Sequence, residues 1–379
     1  MLSIVSSGTA QWVTMSGPST TPVTCFCIAD GGSTIIAGTH SGVFVGGSGS
    51  WIPVNRNLTS PLVAAIATNG TDIFIGTVDG AVYSSASSNW NTITPNSGIS
   101  EISSVAAIQG NLYVGTDGAF WKSSDKGAHW TQPVAPDPTG TVTGIAGIEP
   151  NVFAIDNGVY LTHDDGTTWA NVSTGLPTNV LTLTATSTQI FAGTNDGVYL
   201  STNNGTSWTP INNGMTGLSV TSVATEGVNL YAATQANGVY FSGDNGADWQ
   251  TANTALPTMK INTLAIAGLT LIVATDADGV WQRPLSQFVA VKNSVSDPTQ
   301  PSVEVSLSPN PTHGMITVRS GKENISRILV RNLLGREVAD VFVSNLPDCT
   351  LDLPKVPAGL YLATVITSNS VVSKKLILQ

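Results

Sequence analysis

Apolar and polar positions alternate in short runs along most of the chain, and the stretch 179–211 shows the pattern in full. NVLTLTAT (179–186), QIFAGT (189–194), GVYLST (197–202) and SWTPI (207–211) read as four successive strands. Asn195-Asp196-Gly197 and Asn203-Asn204-Gly205 separate them, and such Asn/Asp-Gly pairs supply the positive φ that tight hairpins need.

The same pattern recurs as GTHSGVF, GTVDGAVY, GTDGAFW, IDNGVYL, GTNDGVY, ATQANGVY and ATDADGVW. Each phrase carries a glycine, at Gly42, Gly80, Gly118, Gly158, Gly197, Gly238 and Gly279, with spacings of 38, 38, 40, 39, 41 and 41. A second marker keeps the same period: Trp12, Trp51, Trp90, Trp130, Trp169, Trp208 and Trp249 are spaced by 39, 39, 40, 39, 39 and 41. Four strands per repeat of roughly 40 residues is the arithmetic of propeller blades, and the pattern predicts an all-β chain with a seven-bladed β-propeller over residues 1–284. Trp12 precedes the first inner strand, whereas the seventh repeat (KINTLAIAG, LTLIVAT, DGVWQRP) has no Trp strand after it. Gln11–Met15 is therefore expected to pair with Gly279–Arg283 and close the ring, leaving no open sheet edge.

The periodicity stops after Pro284, and residues 285–302 read as a linker whose second half is rich in Ser, Pro, Asp and Gln. Beyond it, residues 303–379 alternate again in a way that suggests a small antiparallel, immunoglobulin-like β-sandwich.

Charge divides the chain at the same place. The net charge is −10; residues 1–284 hold 17 acidic and 5 basic side chains (−12), and residues 285–379 hold 7 and 9 (+2). An acidic propeller repels phosphate backbones, which argues against a nucleic-acid partner. The run of apolar residues needed for a membrane span is absent from the sequence. The start, MLSIVSSGTAQW, lacks the basic residue and apolar length of a secretion signal, so an incomplete start is expected. Cys25, Cys27 and Cys349 have no zinc-ligand spacing and read as packing residues. No cofactor or metal is called for.

In four repeats the turn before the tryptophan follows S/T-x-D/N-x-G-x-x-W: SSDKGAHW (123–130), THDDGTTW (162–169), STNNGTSW (201–208) and SGDNGADW (242–249). These turns resemble the Asp-box, or BNR, repeat of sialidases, sortilin-type receptors, xyloglucan hydrolases and photosystem assembly factors. Repeats one and two, with GGSGSW and SSASSNW, depart from it. The residues concerned are Asp125, Gly127, Trp130, Asp164, Gly166, Trp169, Asn203, Gly205, Trp208, Asp244, Gly246 and Trp249, and they read as structural: Asp or Asn bonds the turn's N–H groups, Gly takes positive φ and Trp packs between blades.

The tail carries Pro309-Asn310-Pro311 with Gly314, then Leu334-Gly335-Arg336-Glu337, then Pro357-Ala358-Gly359-Leu360-Tyr361, and finally Lys374-Lys375-Leu376-Ile377. In this order the motifs resemble the type-A C-terminal sorting domain of the Bacteroidetes type IX secretion system. The resemblance implies Sec-dependent passage through the inner membrane and translocation through the outer one. It also implies partnership with the secretion machinery and a sortase that removes the domain, and a mature protein secreted or held on the outer-membrane surface.

Little in the propeller resembles a catalytic constellation. Sialidase chemistry clamps its substrate carboxylate with three arginines, and residues 1–284 contain only Arg56 and Arg283. The carboxylates outside the four turns include Asp30, Asp72, Glu101, Asp137, Glu149 and Glu226, leaving a two-carboxylate glycoside hydrolase open. Asp30 and Glu226 occupy equivalent inner-strand ends, and Glu101 and Lys260 begin inner strands near the channel. Ser41, Asp79, Asp117, Asn157, Asp196, Asn237 and Asp278 precede the marker glycines and form a polar ring on one face; the reading favours turn chemistry over a cation or hydroxyl-rich ligand there. His40, His129, His163 and His313 stand singly. The favoured function is a non-catalytic binding module for an extracellular glycan or protein. The alternative is a secreted carbohydrate-active enzyme, and an assembly factor comes third.

Overall fold

The computed structural model describes residues 11–288 and 305–379, apart from 16, 19–20, 47–49, 86–88, 97, 138, 149, 277, 322–323, 333–336, 354–355 and 368–370. It divides into two compact units, Met1–Ala290 and Val291–Gln379.

The first unit is a propeller. Among the described residues it contains seven antiparallel sheets, six of four strands and one of three. Blade V is representative, with strands Val180–Ala185, Ile190–Thr194, Gly197–Ser201 and Thr209–Pro210 ordered outward from the centre. In blade III the outermost strand shrinks to one bridge between Lys122 and Thr131. In blade VII, Ile261–Ala267, Thr270–Thr275 and Val280–Pro284 are completed by Val13–Thr14, with Val13 opposite Gln282 and Thr14 opposite Trp281. The Met15 N–H extends the pairing to the Val280 carbonyl at 2.8 Å.

The period-marking tryptophans explain why the blades stay in register. Each donates its indole N–H to a main-chain carbonyl of the preceding blade. Trp51 bonds Met15 at 3.3 Å, Trp130 bonds Ile93 at 2.7 Å and Trp169 bonds Val134 at 2.8 Å. Trp208 bonds Val172 at 2.7 Å, Trp249 bonds Ile211 at 2.6 Å and Trp90 bonds Val54. Trp12 closes the circle on Ala252 at 2.5 Å. An amphipathic ring that buries its body and satisfies its one donor suits this seam.

The innermost strands carry a second set of stitches. In six blades the pairing shifts by one residue just after the first residue of the inner strand, as between Val180 and Thr182. Such a bulge re-aims the inserted side chain. In three blades that residue reaches the first residue of the next inner strand: Thr24 to the Val63 carbonyl at 3.1 Å, Thr221 to Ile261 at 2.9 Å, and Asn262 to Val23 at 3.2 Å across the closure.

The marker glycines answer to two constraints. Gly197 has φ of 95°, and a Cβ there would lie 2.3 Å from Oδ1 of Asn212. That asparagine accepts from Val198 N–H at 2.6 Å and donates to the Asp196 carbonyl at 2.9 Å, holding the turn shut. Asn55 and Asn253 repeat the arrangement in blades I and VI.

The propeller runs past Pro284. Leu285 and Phe288, read from sequence as the start of the linker, are buried against Trp12, Tyr231 and Phe241. An isolated pair of large apolar residues shows no period, so sequence alone could not separate them from a linker; the burial of their side chains does. Residues 289–302 of the linker lie outside the described residues.

The second unit is a sandwich. One antiparallel sheet contains Ser306–Ser308, Met315–Arg319 and Asp348–Asp352. The other orders Glu337–Leu346, Ile325–Asn332, Gly359–Thr367 and Val371–Leu378. Val318 and Leu351 of the first sheet share a core with Ile328, Val365 and Leu376 of the second.

Candidate functional site

Strand direction assigns each loop to a face. The turns before the tryptophans and those between first and second strands lie at one end of the ring. The turns carrying the marker glycines lie at the other, with the connections that lead from one blade to the next. The second end is called here the mouth.

At the first end the four turns share one geometry. In blade III the Gly127 N–H donates to Ser123 Oγ at 2.8 Å, and Ser123 Oγ donates to Asp125 Oδ1 at 2.8 Å. The His129 N–H also reaches Asp125 Oδ1 at 2.8 Å. The His129 N–H, the His129 ring at 2.6 Å and the Ser123 hydroxyl hold the exposed Asp125 carboxyl well below the usual range, at about 2. Asp164 is lowered in the same way by Thr168 N–H and hydroxyl, and Asn203 and Asp244 accept from Ser207 and Asp248 N–H at 3.0 Å. Gly127, Gly166, Gly205 and Gly246 all have positive φ. The motif side chains, Ser or Thr at the first position and Asp or Asn at the third, spend their bonds on their own loop. Asp30 and Glu226 share this end, the first bonded by the Thr34 hydroxyl and the second by Asn229. Asp72 pairs with Lys126 of the next blade at 2.7 Å.

At the mouth the polar ring does not converge. Asp79 accepts from the Thr77 hydroxyl at 2.6 Å, Asp117 from Thr141 at 3.2 Å and Asp196 from Gly217 N–H at 3.1 Å. Lys260 forms an exposed pair with Asp276 of its own blade at 3.0 Å and is not brought to Glu101, which stands exposed in blade III with two blades between them on one side and three on the other. Asp156 is fully buried; Asp137 N–H reaches one oxygen at 2.8 Å, the other has no hydrogen-bond partner among the described residues, and burial raises its pKa. Glu149 lies outside the described residues. Of the two propeller arginines, Arg283 is buried under the Phe288 ring, 4.3 Å from its centroid, and donates to the Ala252 and Gln287 carbonyls. Burial pushes the Cys25 thiol up to about 11 and that of Cys27 higher still, as for packing residues.

Between blades V and VI the mouth opens into a pocket of about 460 Å³ lined by Asn179, Leu181, Asn195, Ser219, Thr221 and Gln235. Sequence marks Asn195 only as a turn residue and marks none of the six as a binding residue. Their shared signal is positional. Asn179 and Ser219 precede the inner strands, Leu181 and Thr221 are the bulged residues, and Asn195 and Gln235 follow the second strands. The Asn195 N–H bonds the Asn179 carbonyl at 3.2 Å, and the Gln235 N–H bonds that of Ser219 at 2.9 Å, so backbone fixes the two walls. The lining has no titratable side chain. It is equipped to exchange hydrogen bonds with a neutral polar ligand and to pack one apolar group on Leu181.

In the tail, the motif residues cluster where its beginning meets its last strand. Asn310 donates to the Lys375 carbonyl at 2.6 Å and accepts from Ile377 N–H at 2.9 Å. The Leu353 N–H bonds the Gly314 carbonyl at 2.7 Å, and the Tyr361 hydroxyl bonds that of Pro357 at 2.7 Å. Pro309 and Pro311 flank the Asn310 clamp, Gly359 and Glu337 begin strands, and Lys374 and Lys375 stand exposed. Gly335 lies outside the described residues.

Residues 306–379 match the family of secretion system C-terminal sorting domains. The tail is a sorting domain. Residues 159–270 match the DUF6242 β-propeller domain. No protein of curated function matches the chain in sequence. Among solved structures, YCF48 bound to D1 peptide is similar over 74% of this chain and 96% of its own, with TM-score 0.59 and 13% identity. The GH74 xyloglucanase from Xanthomonas campestris is similar over 94% of this chain and 59% of its own, with TM-score 0.58 and 16% identity. The extracellular domain of the putative one component system BT4673 from B. thetaiotaomicron gives 96% and 52%, with TM-score 0.57 and 16% identity. At such identities the likeness is one of fold. A propeller joined to a sorting domain is a secreted or cell-surface protein.

Proposed function

We propose that this chain is a non-catalytic binding module that leaves the cell by the type IX route and holds an extracellular ligand at its mouth, between blades V and VI. The observation that carries the reading is the neutral lining of that pocket: hydrolysis of a glycosidic bond needs an acid and a base or nucleophile, and Asn179, Asn195, Ser219, Thr221 and Gln235 offer neither. The sorting motifs support export of a Bacteroidetes-type cargo, with sortase removal of residues from about 303 onward and attachment to surface lipopolysaccharide or release. The four Asp-box-like turns act as scaffold in this reading, since the motif side chains Asp125, Asp164, Asn203 and Asp244 accept from N–H groups of their own loops.

A screen of the purified chain on immobilised polysaccharides and proteins, run beside a reducing-end assay, tests the proposal. Binding without sugar release is expected. Time-dependent release would transfer the function to the carbohydrate-active class, with Glu101 and Asp117 of blade III the first carboxylates to replace. Mass spectrometry of the extracellular form tests the export reading: a mature species still ending in Leu378-Gln379 would refute it.

A further inference from the structure

The mouth presents a different chemistry from blade to blade, because equivalent positions in blades II, III, V, VI and VII carry different residues. Before the inner strand, at the bulge and after the second strand, blade II has Leu62, Ala64 and Val78, with Leu62 and Val78 exposed. Blade III has Glu101, Ser103 and Asp117, and blade VII has Lys260, Asn262 and Asp276, its charges joined as a pair. Blades V and VI have Asn179, Leu181, Asn195 and Ser219, Thr221, Gln235. These two are adjacent and together form the pocket.

The amides there are unspent. Elsewhere in the propeller Asn55, Asn212 and Asn253 clamp turns and Asn262 stitches two blades. Asn179, Asn195 and Gln235 are exposed, and among the described residues their side chains make no hydrogen bond within the chain. Each amide offers two donors and one acceptor with two lone pairs. Leu181 adds a further departure. It occupies the bulge position at which Thr24, Thr221 and Asn262 reach the next blade, and it gives up that bond to stand 44% exposed at the pocket. Asp196, beside Asn195 in sequence, is occupied by Gly217 N–H and by the Tyr199 hydroxyl.

From this, and resting on the reading of the pocket as the binding site, we infer that its ligand is an uncharged, hydroxyl-rich glycan segment, bound by the amides of Asn179, Asn195 and Gln235 with a sugar ring's C–H face on Leu181. Neighbouring hydroxyls on a sugar alternate donor and acceptor as an amide does. A uronate or sulfated chain would leave water for a site without a cation, on a propeller of net charge −12 from its 17 acidic and 5 basic side chains. A peptide partner would call for aromatic, Met or Arg anchors in a larger apolar core, and the lining has none. A volume of about 460 Å³ is of ligand size.

Calorimetric titration of the full chain decides the matter. The probes are neutral glucan, xylan and mannan hexasaccharides, a hexauronate, and a pool of uncharged peptides. The variants are the triple N179A/N195A/Q235A and, as a control at the mouth outside the pocket, E101Q. At least one neutral hexasaccharide is expected to bind, with affinity at least tenfold weaker in the triple variant, given about fivefold per neutral hydrogen bond, and within twofold of wild type in E101Q. Among the described residues the three side chains bear no intrachain bond, so the triple variant melts as wild type does. Hexauronate or peptide binding that the triple variant abolishes, with no neutral sugar bound, overturns the glycan assignment and leaves the pocket as the site. Sugar binding indifferent to the triple variant overturns both. Absence of binding by any probe at millimolar concentration overturns the glycan assignment.

Discussion

Closure of the ring rests on one carbonyl that serves two donors, and this makes its energetics testable by a double-mutant cycle. The Ala252 oxygen accepts from Trp12 Nε1 at 2.5 Å and from Arg283 Nη1 at 3.2 Å. The Val172 oxygen accepts from Trp208 Nε1 at 2.7 Å with no second side-chain donor seen among the described residues. Replacing tryptophan by phenylalanine keeps most of the buried area and deletes the donor. In W208F the carbonyl is orphaned in a seam, which costs about 1–3 kcal/mol. In W12F the same carbonyl keeps Arg283, so the cost falls to about 0.5–1.5 kcal/mol. R283M alone removes a desolvated cation as well as its bonds, and those effects partly cancel. The double variant W12F/R283M loses both donors and should exceed the sum of the single costs by about 1–2 kcal/mol, the size expected for groups that share a partner. All nine tryptophans lie within residues 12–281, so intrinsic fluorescence during urea unfolding of the full chain follows the propeller alone. Additive single costs, or a W12F loss equal to that of W208F, would refute the shared-acceptor account.

Four further outcomes follow from the same structure. A chain ending at Ala290 should show the full-length fluorescence transition, whereas one ending at Pro284 loses buried Leu285 and Phe288 and should fall by about 3–6 kcal/mol in urea titration. G197A meets both positive φ and the Asn212 side-chain Oδ1 at 2.3 Å, so it should cost at least 2 kcal/mol more than G227A, where φ is 61° and no atom lies within 4 Å; equal melting shifts would contradict this. The Asp125 carboxyl titrates at about 2 in the fold against about 3.9 in an unfolded chain, so its contribution is present above pH 4 and lost as pH falls toward 2; D125N should flatten the melting temperature across that window. Asp156 shifts the opposite way, its charged form opposed by burial above its raised pKa and relieved as pH falls below it, so D156N should match or exceed the wild-type melting temperature at pH 7 while D156A, which strips the acceptor from Asp137 N–H, falls below it.

The scaffold was legible because each repeat states it again. Trp12 and the missing seventh Trp strand specify the pairing of Val13 with Gln282, since a hydrophobic phase carried through seven units leaves one unit incomplete at each end. Phe288 was not legible: its partners Trp12, Tyr231 and Phe241 come from three places in the chain, and only their meeting distinguishes a latch from a linker. The pocket was hidden for a different reason. A bulge adds one residue to a period of two, so Leu181 and Thr221 look like ordinary members of an alternating strand. Asn179, Asn195 and Gln235 look like turn residues, the role that Asn55, Asn212 and Asn253 do fill.

The repeat that hides the site also explains how one can arise in it. Residues such as Trp208, Gly197 and Asn212 are held by contacts that recur around the ring, so their substitution costs stability wherever it occurs. In blades II, V, VI and VII the mouth positions before the inner strand and after the second strand are released from that demand, because their backbone N–H and carbonyl groups carry the pairing whatever the side chain, as Val78 N–H to Leu62 and Gln235 N–H to Ser219 show with wholly different residues. The bulge position is freed in part: blade V dispenses with the inter-blade stitch at Leu181 and remains paired, since Thr184 of the same strand supplies one to the Val223 carbonyl at 2.7 Å. Side chains at the mouth can therefore differ from blade to blade at little cost to the ring. Two adjacent blades that both carry uncharged polar residues there make a ligand-sized pocket without any change in fold, and that is the arrangement of blades V and VI.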